Sequence, residues 1–173
     1  MTPQAASSPS AEPRSTPSKP PAPQGSSSSS PEPTAKGTSV RSVNYPDRYW
    51  HISGDYVRLD PVTSPADRRA ATFTVVKSLA ESRCYSFATA DGGYLRHQNF
   101  LLRAEHDDGA PLFRQDVTFC PRRSSFGGAV MLESVNYPGR FLRHQNLRLR
   151  LDPYQNTDLY RADSAFLLVD GLG

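Results

Sequence analysis

The 173 residues include only two cysteines, one tryptophan and two methionines, and no apolar run is long enough to span a membrane. Neither Cys84 nor Cys120 belongs to a Cys-x-x-Cys pair, and two cysteines do not complete a zinc site, which argues against thioredoxin-type and metal chemistry. No metal or cofactor is expected. The basic residues are not gathered into a stripe: 20 Lys and Arg stand among 17 Asp and Glu, for a net charge of +3 and a pI near 9.0. A nucleic-acid partner is not expected from that scatter. Met1 is followed by neither a basic region nor an apolar core, so no signal peptide is visible in this stretch. There is also no Gly-x-Ser-x-Gly elbow to host a nucleophilic serine.

Residues 1–38 are nearly all Pro, Ser, Ala, Thr and small polar types, with Ser26 to Ser30 unbroken and no aromatic before Tyr45. Such a segment cannot bury a core and is expected to be a disordered Pro/Ser-rich linker. The composition changes abruptly at Ser39. Eight Tyr, eight Phe and the Gly and Pro content suggest a turn-rich β protein.

What fills residues 39–173 is a repeat. Arg96-His97-Gln98-Asn99 recurs as Arg143-His144-Gln145-Asn146, 47 residues on. The same shift puts Asp116 on Asp163 and Phe119 on Phe166. A third copy is more distant: Ser42-Val43-Asn44-Tyr45-Pro46 matches Ser134-Val135-Asn136-Tyr137-Pro138, and Phe73 closes it as Phe119 and Phe166 close the others. Three units follow, at about 39–81, 82–125 and 126–173. In the third, Val130 to Leu132 and Phe141 to His144 read as strands around a turn at Asn136 to Gly139. Leu147, Leu149 and Leu151 alternate with arginines as a half-buried strand does, and a loop at Asp152 to Thr157 precedes a closing strand around Phe166. Four strands per unit make about twelve. A unit of about 45 residues cannot bury its own apolar face, so three should share one core. An all-β fold, specifically a β-trefoil, is expected.

The residues that could carry function are His97 with Asp116 and His144 with Asp163, an Asp following each His by 19 residues. A carboxylate accepts two hydrogen bonds in a fork, matching adjacent sugar hydroxyls, while an imidazole serves a third. Tyr94, Tyr137 and Phe141 are candidate apolar walls for a sugar ring. The plainer reading is that each His pins a turn through backbone bonds and each Asp caps a closing strand. The first unit tips the balance towards binding, because Ile52 stands at the His position and Ala70 at the Asp position while the Phe and the Leu-Asp-Pro turn remain. His51, at the Arg position, is read as no substitute. One recurrent Asp per pocket does not supply the two facing carboxyls of glycoside hydrolysis. Cys84 and Cys120 are either two buried thiols or a disulfide closing the middle unit; a disulfide would imply an oxidising compartment.

The runs Ser134 to His144, Phe113 to Pro121 and Ala71 to Val76 resemble the arabinose-binding (AbfB-type) domain of alpha-L-arabinofuranosidase B. The resemblance covers Ser39 to about Asp170. It implies a non-catalytic β-trefoil carbohydrate-binding module for arabinofuranosyl side chains of arabinoxylan or arabinan, with pocket residues His97, Asp116, His144 and Asp163. It also implies a Cys84–Cys120 disulfide, an extracellular or cell-surface setting, and a polysaccharide partner; a monomer is expected. The hydrolase domain of that enzyme has no counterpart in these residues. A protein- or other-glycan-interaction module is the alternative, ahead of arabinofuranosidase activity in this chain. Unit two departs from the pattern, with Thr89-Ala90-Asp91-Gly92 in place of Asn-Tyr-Pro-Gly, which is expected to alter the wall of the second pocket.

Overall fold

The computed structural model describes residues 37–173, so the linker expected at 1–38 lies outside the described residues except for Gly37 and Thr38. Unit one contains β1 (Thr38–Ser42), β2 (Tyr49–Ser53), β3 (Tyr56–Asp60), α1 (Pro65–Ala70) and β4 (Thr74–Lys77). Unit two repeats the order with β5 (Tyr85–Ala88), β6 (Tyr94–Gln98), β7 (Leu101–Glu105), α2 (Pro111–Asp116) and β8 (Phe119–Arg123). Unit three does so with β9 (Val130–Ser134), β10 (Arg140–Gln145), β11 (Arg148–Pro153), α3 (Asp158–Asp163) and β12 (Phe166–Asp170). The twelve strands match the number read from the sequence, and all their pairings are antiparallel. None of the described helices is long and apolar enough to cross a membrane.

The first and last strands of the units join edge to edge. β1 pairs with β12, β12 with β9, β9 with β8, β8 with β5 and β5 with β4. A bridge between Thr38 and Phe73 returns to β1 and closes the ring. Closure leaves none of these six strands as a free edge, which removes a site for unwanted pairing. The period-two pattern points one face inward: Leu149 and Leu151 are buried while Arg148 is exposed. Phe73, Phe119 and Phe166, which close the three units, all belong to the buried core, where Trp50 stands edge-on to Phe87 of β5 at 5.3 Å and to Phe166 at 5.2 Å.

Each unit also sends out a hairpin, β2–β3, β6–β7 and β10–β11. The recurrent Asn of the Arg-His-Gln-Asn motif has its reason here. Asn99 and Phe100, like Asn146 and Leu147, have φ between 53° and 61°, as a two-residue type I′ turn requires, and Asn tolerates that conformation. In unit one Gly54, at φ 65°, takes the first turn position. The three tips dock in a cycle. The carbonyl of Asp55 accepts from the Ala104 N–H, that of Phe100 from Leu151, and that of Leu147 from Leu59, each at 2.9 Å.

The sequence pattern does not predict the three short helices, since six residues are too few to show a 3.6-residue period. Their local signals are caps: the Ser64 hydroxyl accepts from the Asp67 N–H and the Thr157 hydroxyl from the Tyr160 N–H, both at 3.0 Å. Pro65 and Pro111 stand in the first turn, where a missing N–H costs nothing. Cys84 and Cys120 are bonded to each other across 36 positions, tying the start of unit two to its closing strand.

Candidate functional site

The helices matter because the last residue of α2 is Asp116 and the last of α3 is Asp163. In unit two, α2 presents the Asp116 carboxylate to β6. Arg96 donates to Asp116 Oδ2 from Nε at 2.9 Å and from Nη2 at 2.8 Å, and its Nη1 reaches Glu105 at 2.7 Å. Arg96, His97 and Asp116 are all buried. His97 does not hydrogen-bond Asp116; its Nε2 lies 3.6 Å from Oδ1. Asn136, from the start of unit three, bridges the two. Its amide donates to Asp116 Oδ1 at 2.8 Å, and its carbonyl oxygen lies 2.9 Å from His97 Nε2. Ser134 Oγ donates to the same carbonyl at 2.8 Å. An amide that spends its N–H on the carboxylate must accept from the ring, so His97 carries its proton on Nε2 and leaves Nδ1 as its acceptor. Burial holds the imidazole pKa below its ordinary value against the opposing pull of Asn136 and Asp116, and Arg96 lowers it further.

Unit three builds the same network with the start of unit one. Arg143 donates to Asp163 at 2.6 Å, the Asn44 amide donates to Asp163 at 2.9 Å, and His144 Nε2 lies 2.8 Å from the Asn44 carbonyl. Ser42 donates to that carbonyl at 2.9 Å. Burial again lowers the His144 pKa, with Arg143 adding to it and Asp163 opposing. The Ser, Asn, His and Asp contacts repeat between the two networks, while the arginines differ: Arg96 donates twice to Asp116, and Arg143 donates once to Asp163 and turns its Nε to the His144 carbonyl at 3.2 Å.

Over the unit-two network opens a cavity of about 240 Å³, bordered by Arg96, His97, Asp116, Phe100, Leu112 and Tyr137. Tyr137 meets His97 with ring centroids 5.4 Å apart and remains 43% exposed. Tyr45 stands against His144 in the same way, at 5.2 Å. The other two expected walls lie elsewhere. Tyr94 packs edge-on against Phe113 and Phe141 against Tyr154. Their strand positions turn these rings towards the following helix or loop. Among the described residues, no group of three or more His, Cys, Asp and Glu is arranged to hold a metal ion.

Residues 38–168 match the family described as the alpha-L-arabinofuranosidase B (ABFB) domain. The chain belongs to the AbfB family. A probable alpha-L-arabinofuranosidase B of Aspergillus fumigatus is 38% identical over 98 residues, covering 54% of this chain and 19% of the relative. The alpha-L-arabinofuranosidase B of Aspergillus niger is 41% identical over 81 residues, covering 46% and 16%. The chain thus spans under a fifth of the length of these curated relatives. A solved arabinofuranosidase complexed with arabinofuranosyl-alpha-1,2-xylobiose superposes with a TM-score of 0.72 at 30% identity, over 83% of this chain and 33% of that one.

Within this AbfB domain, sequence reasoning found the His and Asp of each network but missed Arg96, Arg143, Asn44, Asn136 and Tyr45. The signal for Asn44, Asn136 and Tyr45 is the paired Ser-x-Asn-Tyr run, which reads as a turn, and that for Arg96 and Arg143 is the repeated Arg-His-Gln-Asn. One expectation needs correction. The Thr89-Ala90-Asp91-Gly92 segment does not wall the pocket of unit two. Each unit's opening turn completes the pocket of the unit before it, so this segment lines a cleft with Ile52 and Ala70 of unit one. Removing one member of a buried, mutually bonded set strands the others, so loss of the whole set suits a structural network as well as a binding one. His51 has its own partners, Asp60 at 3.1 Å and Asp67 at 3.3 Å.

Proposed function

We propose that this AbfB domain is a β-trefoil carbohydrate-binding module, residues 39–173, that holds arabinofuranosyl groups in two pockets and does not cleave them. The closed six-strand ring with three cyclically docked hairpins supports the trefoil reading. The observation that carries the function is the open cavity over Asp116 and His97, with the same network repeated at Asp163 and His144. A carboxylate has about four acceptor sites; Arg96 and Asn136 supply three N–H donors, which leaves capacity for a sugar hydroxyl. His97 Nδ1 can accept from another. The exposed Tyr137 ring and Leu112, 56% exposed, offer apolar surface for the C–H face of the sugar. At the unit-three site their counterparts are Leu159 and, from unit one, Tyr45.

A single sugar site buries little area and is weak; two on one decorated polysaccharide such as arabinoxylan add avidity. The Pro/Ser-rich residues 1–38 serve in this reading as a tether, the disulfide suits an extracellular or cell-surface setting, and the domain acts as a monomer. Affinity electrophoresis through arabinoxylan tests the proposal. The Asp116→Asn/Asp163→Asn double variant loses retardation, while Tyr45→Ala and Tyr137→Ala each reduce it, with folding checked by thermal melting. Undiminished retardation of the folded double variant sinks the reading. Wild-type chain that ignores arabinoxylan but binds elsewhere in a glycan or pull-down screen supports the interaction-module alternative. Arabinose release from an aryl arabinofuranoside would show activity in this chain.

A further inference from the structure

The cleft of unit one occupies the place that the sugar cavity has in unit two, yet it is larger, about 450 Å³ against 240 Å³. Its chemistry is inverted. Ile52 replaces the imidazole on β2, Ala70 replaces the carboxylate at the end of α1, and Ala66 stands where α2 has Leu112. Ala90 and Ala104 add further apolar wall. The space vacated by the polar network has not been refilled with bulky side chains; small ones keep it open. A hydroxyl-rich sugar entering here would lose its bonds to water without finding replacements deep in the cleft, a net cost. The body of any occupant must therefore be apolar.

Four lining groups, Arg69, Asp55, Asp91 and His106, are exposed, and the buried Thr89 is occupied by Asp91 and the Gly93 N–H. Asp91 is already engaged, accepting from the Thr89 hydroxyl and lying beside His106, whose Nε2 is 3.3 Å from the Asp91 carbonyl. Its carboxyl is held below the ordinary value chiefly by the Thr89 hydrogen bond, so it stays ionised. Arg69, in α1, also borders the cleft, and its side chain has no partner among the described residues. An unpaired guanidinium can take a carboxylate in a fork.

We propose that this cleft is a third ligand site, for a small organic acid with a flat apolar body and a carboxylate that pairs with Arg69. The probe is 3-phenylpropionate, with 3-phenylpropan-1-ol as its uncharged analogue, and the readout is the methyl spectrum of alanine-labelled chain. The Ala66, Ala70 and Ala104 methyls shift saturably with the acid, with a dissociation constant in the millimolar range expected of so small a ligand. Arg69→Gln weakens acid binding about fivefold and leaves the alcohol unaffected, and Ala70→Leu blocks both. Absence of saturable shifts in wild-type chain overturns the proposal, as does equal affinity for acid and alcohol or indifference to Arg69→Gln. None of these residues borders the Asp116 or Asp163 network, so the result is independent of arabinofuranose binding.

Discussion

Asp116 and Asp163 are each 5% exposed, and a carboxylate that deep must keep its partners. The two sites differ in what would survive its removal. Arg96 would retain Glu105 at 2.7 Å, whereas the remaining carboxylate near Arg143 is Asp152 at 3.6 Å. Breaking a buried pair costs about 3–5 kcal/mol when the surviving charge is left without a partner. Asp163→Ala is therefore expected to lie in that range and Asp116→Ala about 1–2 kcal/mol below it, measured by urea unfolding. For the same reason Asp→Asn is the better probe of sugar binding. The buried imidazoles add a pH dependence. Both His97 and His144 have folded pKa values below 6.5, so the unfolded chain binds protons that the folded one refuses. Their stabilisation is full above about pH 6.5 and is lost as pH falls through the folded values, with a slope of at most about 1.4 kcal/mol per pH unit for each ring. The urea midpoint should fall between about pH 7.5 and pH 5, and His97→Gln/His144→Gln should flatten that decline.

Among the elements, the hairpins show why a bulky residue persists in a left-handed turn. Phe100, at φ 61°, lies against the core and Tyr137 and carries Arg140 over its ring at 4.3 Å. Leu147 has the same φ without that packing. Leu147→Gly is expected to raise stability by about 0.5–1 kcal/mol through relief of the turn, while Phe100→Gly lowers it; thermal melts of the two variants check the sign. Leu147, expected to begin the strand that became β11, lies instead in the hairpin turn because the two-residue type I′ turn takes it. The strands were legible because residues such as Leu149 and Leu151 alternate with arginines every second position. The helices were not, because each is a single capped turn whose role, aiming a terminal Asp, depends on what packs against it.

At the scale of the molecule, closure joins distant residues: Asn44 and Asp163 are 119 positions apart, and Asn136 and His97 are 39 apart. The Cys84–Cys120 bond restrains the middle third of the ring, and its 36-residue span corresponds to about 4 kcal/mol of unfolded-chain entropy. Replacing both cysteines by alanine should lower unfolding free energy by about 2–4 kcal/mol and leave the Asp163 site able to bind; equilibrium unfolding measured together with electrophoretic retardation separates the two effects. By itself the sequence determined the threefold period, the number of strands, the recurrent His and Asp and the unit that lacks them, because these are patterns within a unit. Only the tertiary structure decided which unit's Asn and Tyr complete which pocket. Each site straddles a unit boundary, so its partners are set by how the ring closes, and spacing along the chain carries no record of that.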